Sequence, residues 1–147
     1  MSTHHATVVW RKTTESFAYD DYNREHEWRF GDHTVVKASA APGYFGDGAS
    51  VDPEEAFVAA LSSCHMLTFL ALCARKRLVV ESYDDEAVGH LEKNARDMLA
   101  VTRVELHPRI RFADGIVVGA EQLQSLHERA HEHCFIANSV TTEVIVV

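Results

Sequence analysis

Basic residues are scarce in this sequence: 14 lysines and arginines stand against 22 aspartates and glutamates, a formal net charge of −8. Such a balance repels nucleic acid and anionic lipid headgroups unless cations are segregated on one face. No such patch is visible, and the densest basic run, Arg75-Lys76-Arg77, suits the last turn of a helix, where cations complement the dipole. Cysteine is also sparse. Three residues, an odd number, exclude a structural disulfide framework and leave thiol chemistry, metal binding or plain burial. Repeats, low-complexity tracts and linkers are absent, so residues 1–147 are read as a single domain. The segment Met1–Ala6 has no basic region followed by an apolar run, and no apolar run approaches the roughly 20 residues that span a bilayer. A cytoplasmic protein with neither nucleic acid nor membrane as partner is expected.

What is present is an ordinary globular composition, 46% apolar and 24% charged. β-Formers at Ala6–Arg11, Glu27–Phe30 and Thr34–Ala38 predict three strands, the last two joined as a hairpin at Gly31-Asp32. A loop rich in glycine follows from Ala41 to Gly48. Asp52 then suits an N-cap, Pro53 the first helical position and Glu55 the capping-box position, so a helix is predicted from Pro53 to about Arg77. From Ala56 to Ala74 it carries no formal charge and is apolar around most of its circumference, the pattern of a helix buried on several sides. Strands are predicted at Leu78–Tyr83, Glu86–Glu92, within Met98–Phe112 and at Val140–Val147, with a second helix over Ala120–His133. The class is α+β: N-terminal antiparallel strands, a long buried central helix, a second hairpin, a second helix and a C-terminal strand. Two small sheets from one chain of this length can hardly cover such a helix on all sides, which predicts a partner subunit.

Cys64 stands mid-helix in Ser62-Ser63-Cys64-His65-Met66, and Cys134 follows the second helix in His131-Glu132-His133-Cys134-Phe135. Each by itself could be a buried small hydrophobe. Cys73 lies nine residues after Cys64, about 13 Å along the same helix, too far for a disulfide with it, and is assigned to packing. His131, His133 and Cys134 resemble a set of metal ligands, but His131 and His133, two apart on a helix, face different ways. His65 is read as a core or pocket histidine, and Tyr44 and Phe45 as lining an apolar entrance or as core.

Together these motifs resemble those of the OsmC/Ohr family. The run from Asp52-Pro53-Glu54-Glu55 to Cys64 is similar to the family's Asn-Pro-Glu-Glu/Gln start, followed by an alanine-rich helix with the reactive cysteine ten residues after the first glutamate. Ala130–Cys134 with Asn138 resembles the segment of its second cysteine, and the order of elements agrees over nearly the whole chain. The resemblance implies an OsmC-like fold and an intertwined homodimer. It also implies a thiol peroxidase acting on organic hydroperoxides, and possibly hydrogen peroxide, with no cofactor or metal. Cys64 would attack the peroxide and become a sulfenic acid, Cys134 would condense with it to a disulfide, and an external reductant would restore both thiols: a lipoyl protein, thioredoxin or a small thiol. The family further implies an arginine, paired with Glu54, that favours the Cys64 thiolate. Arg24 is the favoured candidate and Arg29 the second. A pairing of Arg24 with a surface acid such as Glu25 is the bland alternative. Phe135 replaces the proline common after the second cysteine.

Ten helical residues separate Glu54 from Cys64 by about 15 Å, so either an arginine serving both draws them from two copies of the helix, the favoured reading, or the helix starts late. The rival function is a non-catalytic dimeric module binding a ligand or metal through His131, His133 and Cys134.

Overall fold

The computed structural model describes all residues, 1–147. The chain divides into two compact units, Met1–Ala56 and Phe57–Val147.

In the first unit, β1 (Thr7–Trp10), β2 (His26–Phe30) and β3 (Thr34–Ala38) form an antiparallel meander in that order. Val8 faces Trp28, and Trp28 faces Val36, across the sheet. Gly31 supplies the positive φ of 59° in the β2–β3 turn, a conformation that costs glycine little. The loop after β3 folds back on the strand: Ser39 N–H donates to Val51 O at 3.0 Å, and Val51 N–H to Lys37 O at 3.1 Å. Gly46 makes this return possible, because a Cβ there would sit 1.5 Å from the Ala40 carbonyl oxygen. The predicted capping box is formed. Glu55 N–H donates to Asp52 Oδ1 at 2.8 Å and Asp52 N–H to Glu55 Oε2 at 3.1 Å, which starts helix α1 (Pro53–Arg75) at its proline.

The second unit holds the rest of α1, five strands and α2 (Ala120–His133). β4 (Val80–Asp85) pairs with β7 (Pro108–Phe112), while β5 (Val88–Lys93), β6 (Leu99–Leu106) and β8 (Glu143–Val146) form a second sheet in which β6 and β8 run parallel. The chain therefore has three sheets where two were expected. β6 and β7, read as one strand region, separate at His107 and pair with different neighbours.

α1 serves both of these sheets. Its first half places Leu61 against Val104 and Leu106 of β6, with Phe57 and Val58 alongside. Gly89 of β5 lets this sheet come close, since a Cβ there would meet Val58 Cγ2 at 2.4 Å. Its second half places Phe69, Leu72 and Cys73 against Leu126 and Ala130 of α2, with Tyr83, Ile110 and Phe112 of β4 and β7 packed around them. Cys73 is thus core, and burial pushes its thiol pKa up.

Within one chain α1 buries a single stripe, Leu61, His65, Phe69, Leu72 and Cys73. The opposite side, with Ala60, Ser63, Leu67, Ala71 and Ala74, is exposed and uncharged. By length and composition α1 is also long and apolar enough to cross a bilayer, which corrects the expectation that no segment is. Ser62, Ser63, His65 and Thr68 interrupt the run without outweighing its alanines and leucines.

Past Arg75 the helix closes with a six-to-one bond, Leu78 N–H to Cys73 O at 2.9 Å, and with Arg77 at φ 58°. A side chain in this left-handed region is strained, so Arg77→Gly should stabilise the protein by about 0.5–1 kcal/mol, seen as a higher urea midpoint.

Candidate active site

Cys64 lies between Leu61 of one core cluster and Phe69 of the other. It is half-buried, whereas Cys134 is only 1% exposed. Both are free thiols, and Cys64 is near enough to Cys134 to perturb its ionisation. Cys134 caps α2 through its backbone N–H to His131 O at 3.2 Å, and the turn beyond it is tied down by hydrogen bonds. Ala137 N–H donates to Cys134 Sγ at 3.4 Å, Asn138 N–H to Cys134 O at 3.0 Å, and the Asn138 side-chain amide to Glu132 O at 2.9 Å. No proline is needed to hold this turn, and Phe135, in the position after the cysteine, is 82% exposed. Burial, reinforced by the neighbouring Cys64 thiol, pushes the Cys134 thiol up to about 11 against the pull of the Ala137 N–H. Cys134 is therefore a neutral thiol at physiological pH.

Two further groups fix the position of α1 here. Asp85, at the end of β4, accepts the Ser62 hydroxyl and, at 2.6 Å, the backbone N–H of His107. His65, beside Cys64, is 1% exposed, and its Nε2 lies 3.0 Å from Nδ1 of His127 on α2. The His127 ring packs on Phe69 with centroids 4.6 Å apart. His65 Nδ1 has no partner, so the predicted core histidine is satisfied on one nitrogen only. Burial, then the neighbouring His127 and His131, hold His65 down at about 4, against the opposing influence of Asp85. Burial also lowers His127.

A histidine held below its unfolded value of 6.5 stays neutral in the fold while the unfolded chain takes up a proton. Its contribution to stability is therefore complete above about pH 6.5 and is lost as pH falls toward 4. For His65 the loss should be on the order of 2–3 kcal/mol, measured as a fall in the urea midpoint between pH 7.5 and 4.5 that His65→Gln diminishes.

In the first unit, Arg24 and Glu54 line one cavity of about 470 Å³ with Trp10, Phe17, Tyr22 and Tyr44. Asn23 organises its wall: its carbonyl accepts Trp10 Nε1–H at 2.8 Å, and its side chain bridges Thr13 N–H and Arg11 O, both at 2.9 Å. Phe17 packs on Tyr22 at 4.9 Å between centroids. Arg24, 9% exposed, stacks with its guanidinium 3.7 Å from the Tyr22 ring centroid and donates to the carbonyls of Tyr19 and Tyr22. Such a cation is held in place by neutral partners, and no ion pair joins it to Glu25 or to Glu54. Arg29 instead pairs with Glu27 at 2.7 Å on an exposed face. Of the two aromatics before α1, Tyr44 lines the cavity, whereas Phe45 packs edge-on to Tyr19.

The possible metal set does not converge: His131 and His133 are exposed while Cys134 is buried. No three histidine, cysteine or acidic side chains are placed to hold a metal ion.

The family model described as OsmC-like protein matches residues 46–147. An OsmC-like protein of unknown function from Vibrio cholerae O1 biovar eltor is 47% identical over 100% of this chain and 99% of its own, with a TM-score of 0.95. Organic hydroperoxide resistance proteins share the fold at low identity. That of Elizabethkingia anophelis is 19% identical, with a TM-score of 0.74 over 99% of this chain and 93% of its own. That of Legionella pneumophila is 16% identical, with a TM-score of 0.71 over 99% and 96%. No curated protein sequence matches. The fold, the matched residues and the Vibrio relative agree: the chain belongs to the OsmC-like family.

Proposed function

We propose that this protein is a cysteine-based peroxidase that reduces organic hydroperoxides to alcohols, in a peroxide-related stress role like that named for its structural neighbours. The observation that carries this reading is the proximity of a half-buried thiol, Cys64 on α1, and a buried one, Cys134 just past α2, close enough for one to perturb the other. Exposure assigns the roles. A peroxide reaches Cys64, whose thiolate attacks the outer peroxide oxygen, breaks the O–O bond and releases the alkoxide, which leaves as the alcohol after protonation. The sulfur is then a sulfenic acid. Cys134 displaces its hydroxyl as water, giving the Cys64–Cys134 disulfide, and an external dithiol or thiol reduces that bond.

Arg24 and Glu54 complete the site as the cation and its carboxylate. A guanidinium oriented by aromatic faces and carbonyls keeps its charge free for a thiolate. The aromatic wall around it suits an apolar peroxide tail. Since Glu54 and Cys64 are ten residues apart on one helix, each site would combine Arg24 and Glu54 of one chain with Cys64 of the other. The exposed, uncharged side of α1, with Leu67 60% exposed, is the surface a second copy would cover. The working form is then a homodimer, placed in the cytoplasm. Adding one equivalent of cumene hydroperoxide and mapping the peptides tests the reading: a Cys64–Cys134 disulfide is expected, and unmodified thiols would refute it.

A further inference from the structure

The His65–His127 contact has no part in the chemistry above, yet it sits where that chemistry depends on geometry. His65 follows Cys64 in α1. His127 stands on α2 seven residues before Cys134, the residue that caps the helix. The same helix carries Ala130 and Leu126, which pack on Phe69 and Cys73 of α1. Between the two helices that carry the cysteines, these are apolar contacts, which resist separation but tolerate sliding, because dispersion has no preferred direction. The His65 Nε2 to His127 Nδ1 bond of 3.0 Å is directional. It is also buried, His65 being 1% and His127 8% exposed, so no water competes for it.

We propose that the hydrogen bond between His65 and His127 is a latch that registers α1 against α2, making these two imidazoles positioning residues for closure of the Cys64–Cys134 disulfide. Closure requires the sulfurs to approach to about 2.05 Å with a restricted dihedral, so a slide of α2 by a fraction of a turn would interrupt it. The chemistry of the latch is simple. One nitrogen donates and the other accepts, so the bridge holds one proton, and a second would set two N–H groups head to head. The groups facing the pair are His131 of α2 and Asp85 of β4, with Tyr83 of β4 behind Phe69. The two rings lie within 11° of parallel, with centroids 5.3 Å apart, so protonating both would bring two cations together in a site that water does not reach.

The proposal rests on the Cys64–Cys134 pairing of the proposed function, but not on peroxide as oxidant. Its test therefore uses diamide, a general thiol oxidant, on the intact protein. Closure is followed by peptide mass, and the reactivity of Cys64 alone by iodoacetamide alkylation. His127→Phe retains a ring against Phe69 and removes the bond; His127→Asn returns a polar atom to the Nδ1 position. His127→Phe should slow closure by about tenfold or more, the scale of one lost buried hydrogen bond. Alkylation of Cys64 should stay within about twofold, and His127→Asn should restore most of the closure rate. Closure in His127→Phe at the wild-type rate, or equal slowing of alkylation and closure, would overturn the latch. If His127→Phe does not fold, His65→Asn decides, because its amide reaches the Nδ1 position but not Nε2: closure should again slow about tenfold with Cys64 alkylation within about twofold, and closure at the wild-type rate would refute the latch. A failure of the peroxidase reading looks different: diamide closes the disulfide with the latch dependence intact, while cumene hydroperoxide leaves both thiols unmodified.

Discussion

Cys64→Ser is expected to lose hydroperoxide reduction by at least about a thousandfold while keeping its fold. A serine hydroxyl is not ionised at neutral pH and cannot form the sulfenic acid through which the oxygen is transferred. The substitution removes little volume from a half-buried position, so circular dichroism and the urea midpoint should barely move. Cys134→Ser separates the two steps. This variant should consume one equivalent of peroxide per site at close to the normal rate and then stop, with a sulfenic acid on Cys64 that dimedone traps. The asymmetry follows from the environments of the two sulfurs. Cys134, 1% exposed and with its thiol held up to about 11, is a poor first nucleophile but is already near the sulfur it would attack. Undiminished turnover in Cys64→Ser would end the assignment. Normal multiple turnover in Cys134→Ser would mean that the reductant attacks the sulfenic acid directly.

The second large effect is recovery of activity from two dead proteins. Glu54→Ala and Cys64→Ser homodimers should each be inactive, because each lacks one member of every site. Unfolded together and refolded, they should form heterodimers as about half of all dimers, and each heterodimer would contain one site with both lesions and one wild-type site. About a quarter of wild-type activity should then return. Were Glu54 and Cys64 to serve the same site from one chain, both sites of the heterodimer would be damaged and nothing would return. Mass spectrometry of the intact dimers confirms that mixing occurred. Folding and association should also prove inseparable, because the uncharged side of α1 that one chain leaves exposed would be core in the dimer. A folded monomer at micromolar concentration would remove the premise.

The Asp52-Pro53-Glu54-Glu55 start of α1 was legible from composition and spacing because its capping box is local: Asp52 and Glu55 each satisfy the other's backbone N–H with a side-chain oxygen, without help from the rest of the chain. The ends of α2 were legible for a similar reason, the 3.6-residue period of Leu123, Leu126 and Ala130 stopping where Cys134 turns away. Pairing was not local and was not legible. Leu106 and Pro108 flank a single residue, yet β6 runs parallel to β8 while β7 pairs with β4, because the hydrophobic face of each strand is shared out between the two halves of α1.

The site divides along the same line. Resemblance to the family's motifs singles out Cys64, Cys134 and Glu54, since each sits in a short motif whose spacing is covalent. The same resemblance calls for an arginine and leaves Arg24 and Arg29 as candidates, whose surroundings are not covalent. Tertiary structure alone buries Arg24 against Tyr22 and leaves Arg29 paired with Glu27 at the surface. It alone brings Cys134 to Cys64 across 70 residues, and with them sets His65 against His127. Spacing along a helix is dictated by the chain, whereas contact between helices is decided by which apolar faces bury each other, and that is a property of the whole fold.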